Sequence, residues 1–330
     1  MAWIALFTAI AWFLPHSEAF FTAGSASRSV DREVKANGPK RALSRPGSAS
    51  SHPSMSASDI LEGDTVVVVG ASGGIGRLVT QSLASTGKYK VRGLVRNLEK
   101  AKEALSLSAG ASDGDGLEIE LQQGDILDEG SLGEAMKGAA CVVACTGTTA
   151  FPSMRWSGGN TPDAVDNLAV GNMLRAAAGS GSLKRFVLLS SVGVTRADKF
   201  PFVILNAFGV LDAKAKGEAA VRKAAEEGGF SYSIVRPGQI KGDPFLSYSK
   251  AGAAVVATED PSKDAKASKS RMVSLQQGDS EAGDVNPSSV AEAFTQAVGQ
   301  AAAAGKSYTV VNSPGSAPTQ DAWDALFAKL

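Results

Sequence analysis

The sequence predicts an α/β fold: a doubly wound, mostly parallel sheet in a single domain with a small C-terminal, substrate-side part. Three observations carry this. From residue 64 onward, short apolar runs alternate with longer amphipathic stretches, the pattern of strands covered on both faces by crossover helices. The first run, "TVVVV" at 65–69, is β-branched without polar alternation, which suits a strand buried on both faces. It leads straight into "GASGGIG" at 70–76, a glycine cluster that opens an amphipathic helix.

The elements then follow in alternation. The four valines place a strand at 64–70, and the glycine cluster hands over to a helix at 75–86. "YKVRGLV" at 89–95 is the next strand, and a helix fills 97–107. "LEIELQ" at 117–122 and "ACVVAC" at 140–145 are strands on either side of a helix at 130–137. A helix at 163–179 leads to "RFVLLS" at 185–190, and another at 206–228 leads to "SYSIV" at 231–235. The last part holds strands at 271–275 and 307–311, with helices at 287–303 and 319–329. One segment, "SKAGAAVVATEDPSKDAKASKSRM", is charged, rich in small residues and without clear period, so it reads as a surface excursion. Loops beyond the carboxyl ends of the strands are where such sheets bind ligands, which makes the C-terminal part a substrate-side lid.

The N-terminal residues follow a different pattern. "MAWIALFTAIAWFLPHSEAFF" has an apolar run from Ala2 to Leu14, too short for a membrane span, and then Ser17 and Ala19 in the small-x-small pattern of a signal-peptidase site. Residues 1–19 therefore read as a signal peptide cleaved after Ala19. Residues 20–60 are rich in Ser, Ala and Arg and poor in acids, the composition of a plastid transit peptide. A signal peptide, Phe20 at the cut, and then a transit tract resemble the bipartite leader of proteins sent to the stroma of plastids surrounded by extra membranes. A secreted protein with a disordered N-terminal tail is the alternative. Residues 61–330 form the globular domain.

Charge and rare residues exclude several classes of function. The formal net charge of the 330-residue chain is zero, which gives no pull toward nucleic acid. Residues 1–58 hold six basic and three acidic side chains, so the remainder carries 27 of the 33 basic and 30 of the 33 acidic groups. Both histidines, His16 and His52, lie in the leader. A mature enzyme would thus have no His base, no Ser-His-Asp triad and no His-ligated metal. Cys141 and Cys145 lie four residues apart on one apolar strand, too far for a disulfide, and read as buried, inert thiols.

The glycine cluster carries the chemistry. Gly70 permits a tight turn, Gly73 lets the backbone approach a pyrophosphate and Gly76 lets the helix pack close to the strand, with the helix N-terminus facing the phosphates. The spacing Gly70-x-x-Gly73-x-x-Gly76 resembles that of the short-chain dehydrogenase/reductase superfamily. Further landmarks resemble its atypical, NAD(P)H-binding, NmrA-like branch: "VRGLVRNLEKA", "QQGDILD", "ACTGT", "FVLLSSVGV", "AKAKGEAAVR" and "YSIVRPGQI", in that order over residues 63–312. The resemblance implies a Rossmann-like sheet. Its expected cofactor-binding residues are Gly70, Ser72, Gly73, Gly74, Ile75, Gly76 and Arg77 of the turn, then Arg96, Asp125 with Ile126 at the adenine, Gly147 at the phosphates and ribose, Lys214, and Pro237 with Gly238 at the nicotinamide. An acid at the end of the second strand would mark NAD, whereas an Arg accommodates a 2′-phosphate. Arg96 stands there, with Arg77 just past the turn, so the cofactor expected is NADP(H).

Members of the superfamily commonly reduce a carbonyl with Ser, Tyr and Lys, the Tyr of Y-x-x-x-K giving the proton. Here Ser191 matches the serine and Lys214, four residues before Glu218, matches the lysine; these two are the expected catalytic residues. The position four before Lys214 is Val210, and none of the four tyrosines is followed by Lys at that spacing. Hydride transfer remains open, because a quinone-like or unsaturated acceptor needs little acid assistance and Lys214, water or Tyr248 could supply the proton. Two readings follow: an NADP(H)-dependent reductase of such a small-molecule substrate, and a non-catalytic NADP(H)-binding redox sensor or assembly factor of the plastid. The mature chain shows no integral membrane segment, and peripheral thylakoid association is compatible with either.

Overall fold

The computed structural model describes residues 59–106, 117–241, 271–280 and 282–330. The leader up to residue 58, Tyr248 and nearly all of the expected excursion lie outside the described residues. Ten strands are present among those described: β1 (Thr65–Val69), β2 (Lys90–Val95), β3 (Ile119–Gln123), β4 (Ala139–Ala144), β5 (Arg185–Leu189), β6 (Ser231–Pro237), β7 (Gln239–Ile240), β8 (Met272–Gln277), β9 (Asp284–Val285) and β10 (Lys306–Ser313). The α-helices are α1 (Gly74–Ser85), α2 (Leu98–Ser106), α3 (Gly133–Met136), α4 (Ala169–Gly179), α5 (Phe202–Leu205), α6 (Val210–Gly228), α7 (Pro287–Gly299) and α8 (Gln320–Phe327).

Eight strands form one sheet in the order β3-β2-β1-β4-β5-β6-β10-β8. Neighbours are parallel except β10 and β8. The chain therefore moves outward from β1 in one direction through β2 and β3, then crosses back to β4 on the other side of β1. That reversal opens a crevice beyond the carboxyl ends of β1 and β4, where doubly wound sheets take their ligands.

The valine run explains why β1 sits at the centre. Val66 and Val68 point into one hydrophobic cluster, with Leu78, Val79 and Leu83 of α1 and Phe294 of α7. Val67 and Val69 point into the other, with Met136 of α3, Met173 of α4 and Val221 of α6. Alternate side chains leave opposite faces of a strand, so a strand with layers on both faces needs no polar alternation. Each buried valine contributes on the order of 1.5–3 kcal/mol. A third, smaller cluster of Val192, Val194, Phe202, Val210 and Leu211 lies under the segment between β5 and α6.

Arg185, the first residue of β5, is buried and its Nη1 donates to the carbonyls of Ala297, Val298 and Gln300 at the C-terminal end of α7. A cation there satisfies orphan carbonyls and opposes the helix dipole. The cysteines are free and buried, and burial pushes the Cys141 thiol up to about 12. No helix among the described residues is long and apolar enough to cross a membrane.

Three departures from the sequence reading bear on the site. The helix expected at 163–179 begins as a π-helical turn, Asp163–Leu168, before α4. The helix expected from 206 begins at Val210, behind Gly209 at φ +77°. β8 runs antiparallel to β10, and a two-stranded sheet of β7 and β9 stands beside it; pairs two residues long carry no periodicity to read.

Candidate functional site

The glycine turn closes β1 at the crevice. Gly70 has φ +80°, in the left-handed region that disfavours a side chain. Its N–H donates to Leu94 O at 3.1 Å, and Gly73 N–H donates to Gly70 O at 2.8 Å. A Cβ on Gly76 would lie 2.1 Å from Gly70 O, so only glycine lets α1 start this close to the turn. The helix N-terminus is bare: Gly73 supplies no side-chain cap and no acid stands in the first turn. Residues 72–75 are half-buried. An uncapped, acid-free helix start behind a glycine turn at a sheet switch point fits an anionic group such as a pyrophosphate.

The adjacent strand end leads to an ion pair. A Cβ on Gly70 would meet Thr146 and Cys145 after β4, and one on Gly147 would lie 3.4 Å from Lys214 Nζ and 3.5 Å from Asp166 Oδ1. Lys214 Nζ donates to Asp166 Oδ1 at 2.7 Å, with the two side chains only 11% and 3% exposed. Asp166 Oδ2 accepts from Thr148 N–H at 3.3 Å. Thr146, Val165, Asp166, Leu188, Ser190 and Lys214 are among the residues that line the narrow crevice here. Asp166 is the functional candidate that sequence reasoning missed. It sits on the π-helical turn, and its carbonyl is 2.3 Å from where a Cβ on Gly217 would be. Gly217, three residues past Lys214 on α6, thus admits the turn that presents Asp166 to Lys214. Glycine in the interior of a helix costs roughly 1 kcal/mol against alanine, and that unfavourable residue in "KAKGE" is the one signal that points to a close approach.

The two serines after β5 have different partners. Ser190 lines the crevice, donating from Oγ to Glu218 Oε1 at 2.6 Å, whereas Ser191 Oγ donates to the Val192 carbonyl. Successive residues leave a strand end in opposite directions, so only one of the paired serines can face α6. Glu218, one turn after Lys214, is itself buried and held by Arg236 through Nε at 2.8 Å and through Nη2, and by Arg222 Nη2 at 2.8 Å.

The two arginines expected at one phosphate differ in exposure. Arg96 is exposed at the end of β2, with Nη1 3.4 Å from Asn160 Oδ1 in the segment after β4. Arg77, on α1, is 2% exposed. Pro237 and Gly238, expected at the nicotinamide, are both buried. The Gly283 carbonyl lies 2.2 Å from where a Cβ on Gly238 would be, so packing accounts for that glycine. Asp125 Oδ1 accepts from Leu127 N–H at 3.0 Å in a turn after β3, and the Ile126 carbonyl accepts from Asn172 Nδ2 at 2.9 Å. Val210 is 4% exposed in the third cluster, so a tyrosine built there would be forced into packed core rather than into the crevice.

This arrangement is that of a nucleotide-binding α/β protein, and the comparisons agree. The chain belongs to the NAD(P)H-binding family, whose model matches residues 70–301. Among curated proteins it is 32% identical over 187 residues to an uncharacterized chloroplastic protein of Arabidopsis thaliana, a match covering 54% of this chain and 60% of that one. It is 30% identical over 207 residues to the chloroplastic protein TIC 62 of Oryza sativa subsp. japonica, covering 60% of this chain and 39% of that one. The chain thus spans less than two thirds of the length of these relatives. Among solved structures, an NAD-dependent epimerase/dehydratase-type protein of Bacillus halodurans shares the fold, with a TM-score of 0.57 and 21% identity over 81% of this chain and 100% of that one.

Proposed function

We propose that the protein is an NADP(H)-dependent oxidoreductase that passes hydride to a quinone-like or unsaturated small molecule without a tyrosine acid. The observation that carries this is the Lys214–Asp166 pair beside Gly147, at the carboxyl ends of the strands that bear the glycine turn. The N–H groups of Gly74, Ile75 and Gly76 at the start of α1, with Ser72 in the turn, would hold the pyrophosphate. Arg96 would take the 2′-phosphate, and Asp125 with Ile126 would border the adenine. When bound, the reduced nicotinamide supplies a hydride, and the acceptor takes one further proton to complete a two-electron reduction that leaves NADP⁺. Lys214 Nζ, oriented by Asp166, would hydrogen-bond the acceptor oxygen, donate that proton and be recharged from solvent.

Lys214→Ala should weaken NADPH binding and depress quinone reduction further than the binding loss accounts for, because the lysine then also stabilises charge developing during transfer. Asp166→Asn should lower kcat by about ten- to a hundredfold through loss of that orientation. Equal losses in binding and turnover would reduce Lys214 to a cofactor contact. Arg96→Ala should weaken NADPH about ten- to a hundredfold, the effect of a lost charge-assisted contact, and NADH almost not at all by calorimetric titration. Equal losses would assign Arg96 to the fold.

A non-catalytic NADP(H)-binding role in the plastid is the second reading. It is favoured by the buried Val210 where the superfamily places its tyrosine. A plastid location for either reading is supported by the leader pattern and by relatives named as chloroplastic proteins. A reporter fused to residues 1–60 should enter the plastid, and Phe20→Ala with Phe21→Ala should stop it before the inner compartment. Delivery unaffected by the double change would remove the aromatic residues from the targeting signal.

A further inference from the structure

The segment that leaves β4 past Gly147 runs on to the corner where Arg96 stands at the end of β2. Gly158 at φ +73° and Gly159 at φ +86° turn the chain into Asn160. The Asn160 amide is engaged at both ends: Oδ1 accepts from Arg96 Nη1 at 3.4 Å, and Nδ2 donates to the Ser157 carbonyl at 2.6 Å. The Asn160 backbone carbonyl accepts from Thr148 Oγ1 at 3.4 Å, and the Thr148 N–H is the donor that reaches Asp166 beside Lys214. Arg96 is held from the other side too, its backbone carbonyl accepting from Gln123 Nε2 of β3 at 3.2 Å. Asn160 is half-buried and Arg96 exposed. Among the described residues, no carboxylate forms an ion pair with Arg96.

We propose that Asn160 is a positioning residue for the cofactor's 2′-phosphate, setting the preference for NADPH over NADH by holding Arg96. This rests on the reading of Arg96 as the 2′-phosphate ligand and adds the group that orients it. A surface arginine loses rotamer freedom when a ligand fixes it, and a partner that already holds the side chain lowers that cost of binding. An amide oxygen occupies one of the guanidinium's N–H donors and leaves the others, with the full positive charge, for a phosphate. A carboxylate in the same place would pair with the guanidinium and compete with the phosphate. NADH carries a hydroxyl where NADPH carries the 2′-phosphate, so it gains nothing from the way Arg96 is held.

The test is calorimetric titration of the full chain with NADPH and with NADH, in Asn160→Ala, Asn160→Asp, Arg96→Ala and the double variant Arg96→Ala with Asn160→Ala. Asn160→Ala should weaken NADPH about three- to tenfold and Asn160→Asp about ten- to a hundredfold, with NADH affinity undiminished in both. Undiminished NADH affinity also shows that each variant is folded with its glycine turn intact. In the Arg96→Ala background Asn160→Ala should have no further effect, because its influence passes through the guanidinium. Equal losses for NADPH and NADH would reduce Asn160 to a support of its own segment and overturn the inference. A loss that persists in the Arg96→Ala background would overturn it as well. A selective NADPH loss in Arg96→Ala with none in Asn160→Ala removes Asn160 alone, whereas no selective loss in Arg96→Ala removes the phosphate role of Arg96 and the inference with it.

Discussion

Replacing Glu218 by Gln is expected to cost about 3–5 kcal/mol of folding stability, read by equilibrium urea denaturation. The carboxylate is the shared partner of Arg236, Arg222 and Ser190 between α6, β5 and β6. The Arg236 side chain is itself buried. Glutamine keeps the shape but removes the carboxylate that Arg236 is hydrogen-bonded to, leaving it only the weaker influence of the Asp279 charge, and breaking a buried ion pair is among the largest single-site penalties. The same change alters the pH dependence. Burial opposes ionisation of Glu218, but the hydrogen bond and charge of Arg236, with hydrogen bonds from Ser190 and Arg222, outweigh it and hold the carboxyl below the usual range. A carboxyl lowered in the folded state contributes its full stability above its unfolded value, about 4.3, and loses it as pH falls through the folded value. The natural protein should therefore carry a loss on acidification below about pH 5 that is missing in Glu218→Gln. An unchanged acid limb in the variant would place that dependence on other carboxylates.

Gly76→Ala is expected to abolish useful cofactor binding. The new methyl would start 2.1 Å from Gly70 O and 2.8 Å from Gly70 C, both backbone atoms that cannot swing aside. Either α1 lifts from β1 or the turn opens, and both move the helix N-terminus away from the phosphates. Stability should fall by roughly 1–3 kcal/mol, typical of overpacking. NADPH affinity should fall by at least about a hundredfold, some 2.7 kcal/mol. Gly133→Ala is the matched control, since nothing lies within 4 Å of its Cβ position; it should be neutral or slightly stabilising. Undiminished NADPH binding in Gly76→Ala would mean that the turn is not the phosphate cradle.

The central strands of the main sheet are legible in the sequence because burial on both faces leaves uninterrupted apolar runs, as at 66–69 and 139–144. The glycine turn is legible because its steric demands at Gly70 and Gly76 admit no other residue. The centre of the crevice is much less so. Asp166 reaches Lys214 through a π-helical turn, which shifts a side chain by one position relative to α-helical spacing, and the glycine that admits the turn lies fifty-one residues away at Gly217. Whether Ser190 or Ser191 faces α6 depends on where β5 ends, a one-residue question that hydrophobic pattern does not answer. Arg77 reads as a phosphate ligand from its place after the turn, but its burial is decided by how α1 seats on the sheet. Val210 reads as an absence of tyrosine; only the packing of Val192, Phe202 and Leu211 around it shows that the position belongs to the core.

The central claim is that the glycine turn, Arg96 and the Lys214–Asp166 pair serve one reaction, and its most direct measurement is the stoichiometry of turnover. The full chain is mixed with NADPH and a two-ring quinone, and both NADPH loss and hydroquinone formation are followed, with NADH in a parallel run. The account requires one NADPH consumed per hydroquinone formed, at a rate well above the uncatalysed background, with NADH a clearly poorer donor. Tight binding of NADPH with no oxidation by any quinone, enone or aldehyde would contradict it, and the cradle would then hold a nucleotide without driving chemistry.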